Sequence, residues 1–477
     1  MKRIYTNIFT LALTLLLFSC DKQLDLKPED RLVDSEVFSN ELGTEQVLAD
    51  GYYNLFRAST NSVSYLIGDF TTANIKHSVY YNTADQGDLV PESDEVIAIW
   101  TNYYKTINIA NNLLEKVPQF AAYSEIKQQQ FLAEAKFIRA LAYLDLLKLY
   151  GDGALNDNPA GLGLPLQLAP FKGYDTGDVI ARSTNQEVYN QIIKDLEEAI
   201  PSLPLSHSDD LKTRTRATKG NAYALLSRAC LYSKRYEQAA TAAAEVLKLA
   251  PATYELNSSL LNVFPANPDG SSKPLAKEHL FAFPVSYIKS SATYARNNIG
   301  DSYYFKRSFW IDPEFINLHE AGDLRVSQLI FQGDAIHNPD QFNSKVSFKF
   351  NEQYGRDNVP VIRLAEVILT RAEALARTQG ITTEALALLN QIRSRSLPQA
   401  VPYTASSFAN TEALINAILL QRRFELAFEG HYRYDRIRTG QPPRDNNLSP
   451  SKWALPLPES EIRIGKGIII QNPGYKS

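Results

Sequence analysis

The sequence predicts a mainly α protein: a tetratricopeptide-repeat superhelix of about four helix pairs, with long irregular loops and a few short strands forming a ligand-binding face. Three observations predict it. A gap-free repeat runs from Tyr223 to Pro251. Several other segments carry apolar residues at helical spacing. Between them, roughly at 60–95, 151–183, 252–362 and 440–477, lie stretches rich in Gly, Pro, Asn and aromatic residues. Structureless loops of that length are uncommon in folded domains unless they have a function, so binding surface is expected there.

Composition narrows the function. The 477 residues are 44% apolar and 21% charged with a formal charge of −4, as in ordinary folded proteins. Such balanced charge gives no footprint for nucleic acid, and two cysteines make neither a disulfide framework nor a thiolate metal site. The 26 tyrosines are a surplus that needs a purpose.

Lys2 and Arg3 precede an apolar run from Ile8 to Phe18, then Ser19-Cys20. The run is about half of the roughly 20 residues a bilayer-crossing helix needs, so residues 1–19 read as a signal peptide. Cys20 stands where bacterial lipoproteins are cut and lipidated, and its multiple acyl chains would anchor firmly. Losing Lys2 and Arg3 takes the charge from −4 to −6. Residues 20–33 read as a lipidated, proline-containing tether, and 34–477 as one domain.

Segments 44–57 and 96–117 are candidates for the first helix pair. Phe131, Ala135, Ile138, Ala142 and Leu149 share one helical face over 128–150, which is expected to pair with a helix near 185–200 across a long loop. The central repeat places Tyr223, Leu226, Ser227, Cys230, Ala239, Ala243 and Pro251 at tetratricopeptide spacing. Ser227 and Ala239 would let its helices approach closely, and Cys230 falls on the packing face as a buried, inert thiol. Residues 363–396 give another pair, with Gly380 at the turn and Ala385, Leu388, Leu389 and Ile392 inward. Short β-branched and aromatic runs within 281–362 suggest strands.

Catalytic signatures are missing. The six histidines lack metal-ligand spacing. Leu318-His319-Glu320-Ala321-Gly322 lacks the second histidine of a zinc-protease helix, because position 323 is Asp. No G-x-S-x-G and no phosphate loop occurs, and Gly161-Leu162-Gly163 lacks the third glycine of a dinucleotide site. Glu197-Glu198 and Asp209-Asp210 read as solvated surface rather than a glycosidase pair. No enzyme activity, cofactor or metal is expected.

The loops offer flat rings beside amide and charged groups: Asn74, Tyr80 and Tyr81; Trp100 and Asn102; and Tyr303, Tyr304, Arg307 and Trp310. A sugar's apolar C–H face packs on an aromatic plane while its hydroxyls need in-plane donors and acceptors. These nine residues are the candidate ligand-binding set. Trp100 also shares helical spacing with Tyr103, Ile107 and Asn111, which would place it in the core instead.

Ordered blocks along the chain carry a resemblance. They are Leu24-Asp25 with Pro28, then Val37-Phe38 and Gly51-Tyr52-Tyr53-Asn54; AEAKFIRALAYLDLLKLYGD (133–152); TKGNAYALLSRACLY (218–232); RLAEVILTRAEALAR (363–377); RRFELAFEGHYRYDRIRTG (422–440); and the closing LPLPESEI and QNPGY. The chain resembles the SusD/RagB family of outer-membrane nutrient-binding lipoproteins of Bacteroidetes. After Glu429-Gly430-His431 the family usually places Arg and then an aromatic, whereas Tyr432-Arg433-Tyr434 stands here before Asp435; this block is expected to be structural. The resemblance implies a tetratricopeptide scaffold, a variable ligand face, and a SusC-like TonB-dependent transporter as partner. It implies a lipid-anchored protein on the outer membrane, facing the cell exterior, that captures a glycan for that transporter. The alternative it implies is RagB-like peptide capture for an oligopeptide importer.

Overall fold

The computed structural model describes residues 33–61, 64–77, 88–173, 179–265, 274–285, 309–332, 344–351, 357–444 and 448–476. The expected signal peptide, Cys20, Tyr80, Tyr81, Tyr303, Tyr304 and Arg307 lie outside them.

Numbering the longer elements, α1 (Glu41–Phe56) packs on α3 (Asp94–Phe120), with α2 (Ser64–Phe70) and strand β1 (Ile75–His77) between them in sequence. Helix α3 packs on α4 (Glu125–Tyr150). Strands β2 (Leu162–Pro165) and β3 (Arg182–Thr184) form a ribbon that leads into α5 (Asn185–Ala199), which returns onto α4 as expected. The repeat pair is α6 (Lys219–Tyr232) and α7 (Tyr236–Thr253). Strands β4 (His279–Phe283), β5 (Phe309–Ile311), β6 (Ile330–Gln332), β7 (Lys345–Ser347) and β8 (Val359–Arg363) follow. Helix α8 (Leu364–Gln379) lies against α7 and carries α9 (Thr383–Ser396) and α10 (Thr411–Glu425), before α11 (Tyr432–Arg438). Each helix buries a stripe on the next, which is how repeats that cannot fold alone become stable.

Local chemistry sets the boundaries. Thr184 caps α5 in a reciprocal box with Glu187, and Thr218 caps α6 in the same way with Asn221. Asn410 accepts the Ala413 amide to start α10. In the repeat, Ser227, Cys230, Ala239 and Ala243 are all buried at the α6–α7 contact, and burial pushes the Cys230 thiol up to about 12. An inert thiol is what the spacing predicted.

The strands correct one expectation. They form two-stranded antiparallel ribbons, but β4 and β8 are buried at all five positions each. Their near-continuous apolar runs mark core rather than a binding face. Phe281 packs edge-on against Phe137 at 5.4 Å and Phe283 at 5.7 Å. Exposed strand positions remain in the ribbon of β1 with β5 and in that of β6 with β7, and only the first carries one of the candidate rings, Trp310.

Candidate functional site

That ribbon starts where α2 meets the turn after α10. A Cβ on Gly68 would stand 2.2 Å from the Gly430 carbonyl oxygen, and one on Gly430 would stand 2.6 Å from that of Tyr65. Gly430 also has φ +75°, a conformation side-chain-bearing residues rarely adopt. The two backbones therefore touch directly, and the Gly430 amide donates to Asp69 Oδ2 at 2.9 Å. From there the chain turns into β1, whose register sets Ile75 against Ile311, Lys76 against Trp310 and His77 against Phe309.

Alternation then sorts the side chains. Ile75, Phe309 and Ile311 point inward and are buried, with Phe70 stacked on Phe309 at 5.8 Å. Lys76 and Trp310 share the outer face, where Trp310 is partly exposed. The ribbon is held from below. Arg444 donates to the carbonyls of Phe70, Thr72 and Ile75, and Arg423 Nε donates to Asn74 Oδ1 at 2.8 Å while lying 4.4 Å over the Tyr432 ring. Asp312 caps the next short helix by accepting the Glu314 amide, and its other oxygen lies 4.0 Å from the Lys76 ammonium.

This geometry divides the candidate residues. Trp310 stands on an outer face where a ring can meet ligand. Asn74 is fully buried and serves to position β1, which corrects its reading as a ligand contact. Trp100 is corrected in the same way. It is 3% exposed, 4.7 Å from Tyr104 and 5.1 Å from Tyr150, with the Glu461 carboxyl beside it. A ring enclosed on both faces offers no platform, and the spacing of Trp100 with the buried Tyr103, Ile107 and Asn111 was the signal. Asn102, on the same helix, is partly exposed. The other candidates, Tyr80, Tyr81, Tyr303, Tyr304 and Arg307, lie outside the described residues.

Between the helices runs a buried charge network that sequence reasoning missed. Arg363 contacts Glu278 and Glu425 and donates to Glu429 at 2.7 Å, all four side chains being buried. Arg228 forks onto Glu366 at 2.6 Å, tying α6 to α8, and Arg139 forks onto Asp195, tying α4 to α5. Arg438 forks onto Glu373. Burial opposes ionisation of the Glu373 carboxyl, but the Arg438 guanidinium outweighs it and holds the group down at about 2. Their signal was helical spacing: Glu134 and Arg139 sit among the apolar positions of α4. His319 stacks on Phe424 at 3.9 Å and Glu320 pairs with Arg393. Among the described residues no His, Cys, Asp and Glu cluster could hold a metal.

These features define a helical-repeat scaffold protein that carries a ring-bearing ribbon on a charge-locked base. The chain belongs to the SusD/RagB family. A SusD-like family model described as "Starch-binding associating with outer membrane" matches residues 22–231, and the SusD family model matches 341–450. SusD-like protein P38 of Formosa agariphila is 24% identical, over 89% of this chain and 88% of its own length. SusD-like protein P2 of the same organism is 26% identical, over 86% and 85%. Among solved structures, a SusD superfamily protein of Bacteroides vulgatus superposes with a TM-score of 0.77 at 23% identity, covering 92% of this chain and 100% of that one. A laminarin-binding SusD-like protein superposes at 0.69 with 25% identity, covering 92% and 100%. The fold is therefore the repeat-containing helical fold of that superfamily. No described helix is long and apolar enough to cross a membrane.

Proposed function

We propose that this chain is a surface-exposed glycan-binding lipoprotein that captures an oligosaccharide and passes it to a SusC-like TonB-dependent transporter of the outer membrane. The observation that carries the reading is Trp310, a partly exposed indole on the outer face of a rigidly based ribbon. Tyr80, Tyr81, Tyr303, Tyr304, Arg307 and Asn102 complete the proposed ligand set. Family membership supports the reading, as does the laminarin-binding relative. A ring binds the C–H face of a pyranose while amide and guanidinium groups meet its hydroxyls. Affinity at such an open platform is modest, because hydrated hydroxyls must be matched; closure against the transporter supplies retention. Residues 1–19 are the signal peptide, Cys20 carries the acyl chains, 20–33 are the tether and 34–477 the SusD-like body. No catalytic step is assigned.

Glycan arrays followed by calorimetry test this. Trp310→Ala and Tyr81→Ala should each weaken the best glycan about tenfold, the worth of one good stacking contact. Unchanged affinity in both removes the site. Binding of peptides alone moves the assignment to RagB-like peptide capture, and product formation abolished by one carboxylate substitution makes the protein a hydrolase. Cys20→Ala should release the protein from membranes, and a variant that stays bound overturns the anchor.

A further inference from the structure

We propose that a second, separate cleft binds a single neutral pyranose unit. It has a volume of about 230 Å³ and lies between the turn that ends α4 and the turn at Pro450–Ala454. That is just below the roughly 300–1,000 Å³ of pockets that hold drug-sized ligands, and suits one ring rather than a chain. The indole of Trp453 forms one wall, and its N–H is committed to the Leu448 carbonyl at 3.1 Å. The ring is thereby fixed in place. Asp152, Asn156 and Asn158, from the turn after α4, line the cleft as well. Among the described residues the Asp152 carboxylate makes no hydrogen bond or ion pair, the Asn156 side chain makes none, and the Asn158 amide reaches only the Asp152 carbonyl at 3.4 Å. Ser451 adds a hydroxyl shared with Ser449.

Both walls are held from behind by buried polar groups. Asn185 donates to the carbonyls of Asp152 and Asn158 at 2.8 Å. A Cβ on Gly153, which has φ +67°, would meet the Asn158 side chain at 2.7 Å, so glycine lets that amide sit in the turn. On the other side Arg433 donates to the Trp453 carbonyl at 2.7 Å, and Asn472 ties Leu455 to Tyr150. A site built on such supports loses little order on binding. The LYGD and QNPGY segments, which the ribbon leaves unexplained, converge here.

The chemistry selects the ligand class. Lys148 also lines the cleft, but its ammonium is occupied by Asp145 and by the Tyr434 ring at 4.6 Å. No free cation therefore awaits an anion, and Asp152 would repel one. A neutral polyol ring fits, with paired hydroxyls donating to the Asp152 carboxylate and the ring face on Trp453.

Saturation-transfer NMR on the full chain, with methyl α-D-glucopyranoside and methyl β-D-galactopyranoside as probes, tests the cleft. Transfer to at least one glycoside is expected, retained in Trp310→Ala. It should fall about tenfold in Asp152→Asn or Trp453→Ala, with an unchanged circular-dichroism melt, the loss expected for one charge-assisted or stacking contact. Transfer to neither probe overturns the proposal. So does transfer that survives both cleft substitutions, or that disappears in Trp310→Ala and so belongs to the ribbon. Oligosaccharide binding on arrays is scored separately, so the capture reading can stand or fall without this cleft.

Discussion

At the base of α8 and α10, Arg363 is enclosed by Glu278, Glu425 and Glu429 with no side chain of the four more than 2% exposed. On the outer face of the ribbon, Lys76 is 54% exposed and its carboxylate partner Asp312 stands 4.0 Å away. The same charge types thus do different work in the two regions. In the frame each charge is desolvated and must keep every partner, because an unpaired buried ion is costly. On the ribbon a charge can be lost to water with little consequence. The blocks that carry the family resemblance, 363–377 and 422–440, supply the arms of the frame, and no such block covers the ribbon. Resemblance therefore identifies the scaffold and stays silent on the ligand.

Removing Arg363 should break the frame most severely. Arg363→Ala leaves three buried carboxylates facing fewer cations and should cost at least about 3–5 kcal/mol, read as a lower urea midpoint or loss of soluble protein. A cost below about 1 kcal/mol would end the distinction between the regions. Acid should act on the same frame in two stages. His279 is held down at about 3 by burial and the Arg363 charge, and His431 well below the usual range by burial and Arg228. The unfolded chain thus binds protons that the folded one excludes as pH falls below about 6.5, and stability declines from there. The Glu373 carboxyl at about 2, against an ordinary 4.5, contributes stability above pH 4.5 that is lost as pH falls toward 2. Urea titrations at stepped pH check this; stability flat from pH 7 to 4 would refute the histidine stage. Next in size, Gly430→Ala meets both a positive φ and the Tyr65 carbonyl, and should cost about 1–3 kcal/mol. Because Gly430 seats α2, it should also weaken glycan binding, whereas a frame mutation far from α2 at equal cost should not.

The helical part was legible because periodicity is a local signal. The repeat at 223–251, the pairing of 128–150 with 185–200 and the inward face of 383–396 all follow from residues a few positions apart. The ribbon was less legible because β1 and β5 have three residues each and pair across more than 230 positions. No short window contains both halves, so Trp310 could be named as a ring but not placed on a face. Trp100 and Asn74 were misassigned for the opposite reason. Their chemistry suits ligand, yet burial is decided by partners such as Glu461 and Arg423 that arrive from the far end of the chain. For the charged side chains of α4, α8 and α10, spacing can indicate an inward face but not the partner, since only the assembled fold supplies their counter-ions.

The smallest predicted effect probes the ribbon's outer face. Lys76→Ala removes one arm of an exposed pair whose other arm, Asp312, already spends an oxygen capping a helix. Exposed pairs of this kind contribute about 0–1 kcal/mol, so the urea midpoint should move by less than about 0.5 kcal/mol. The ribbon should stay seated, because Asn74 with Arg423 and the three carbonyls on Arg444 hold it from beneath. Binding of neutral glycans should change less than in Trp310→Ala, since the lysine flanks the ring without forming its stacking plane. A loss above about 1 kcal/mol would mean that the ribbon is held from its solvent side. In that case Lys76 belongs with Arg363 as a structural charge, and the division between a locked frame and an open face fails at the point where the ligand is expected.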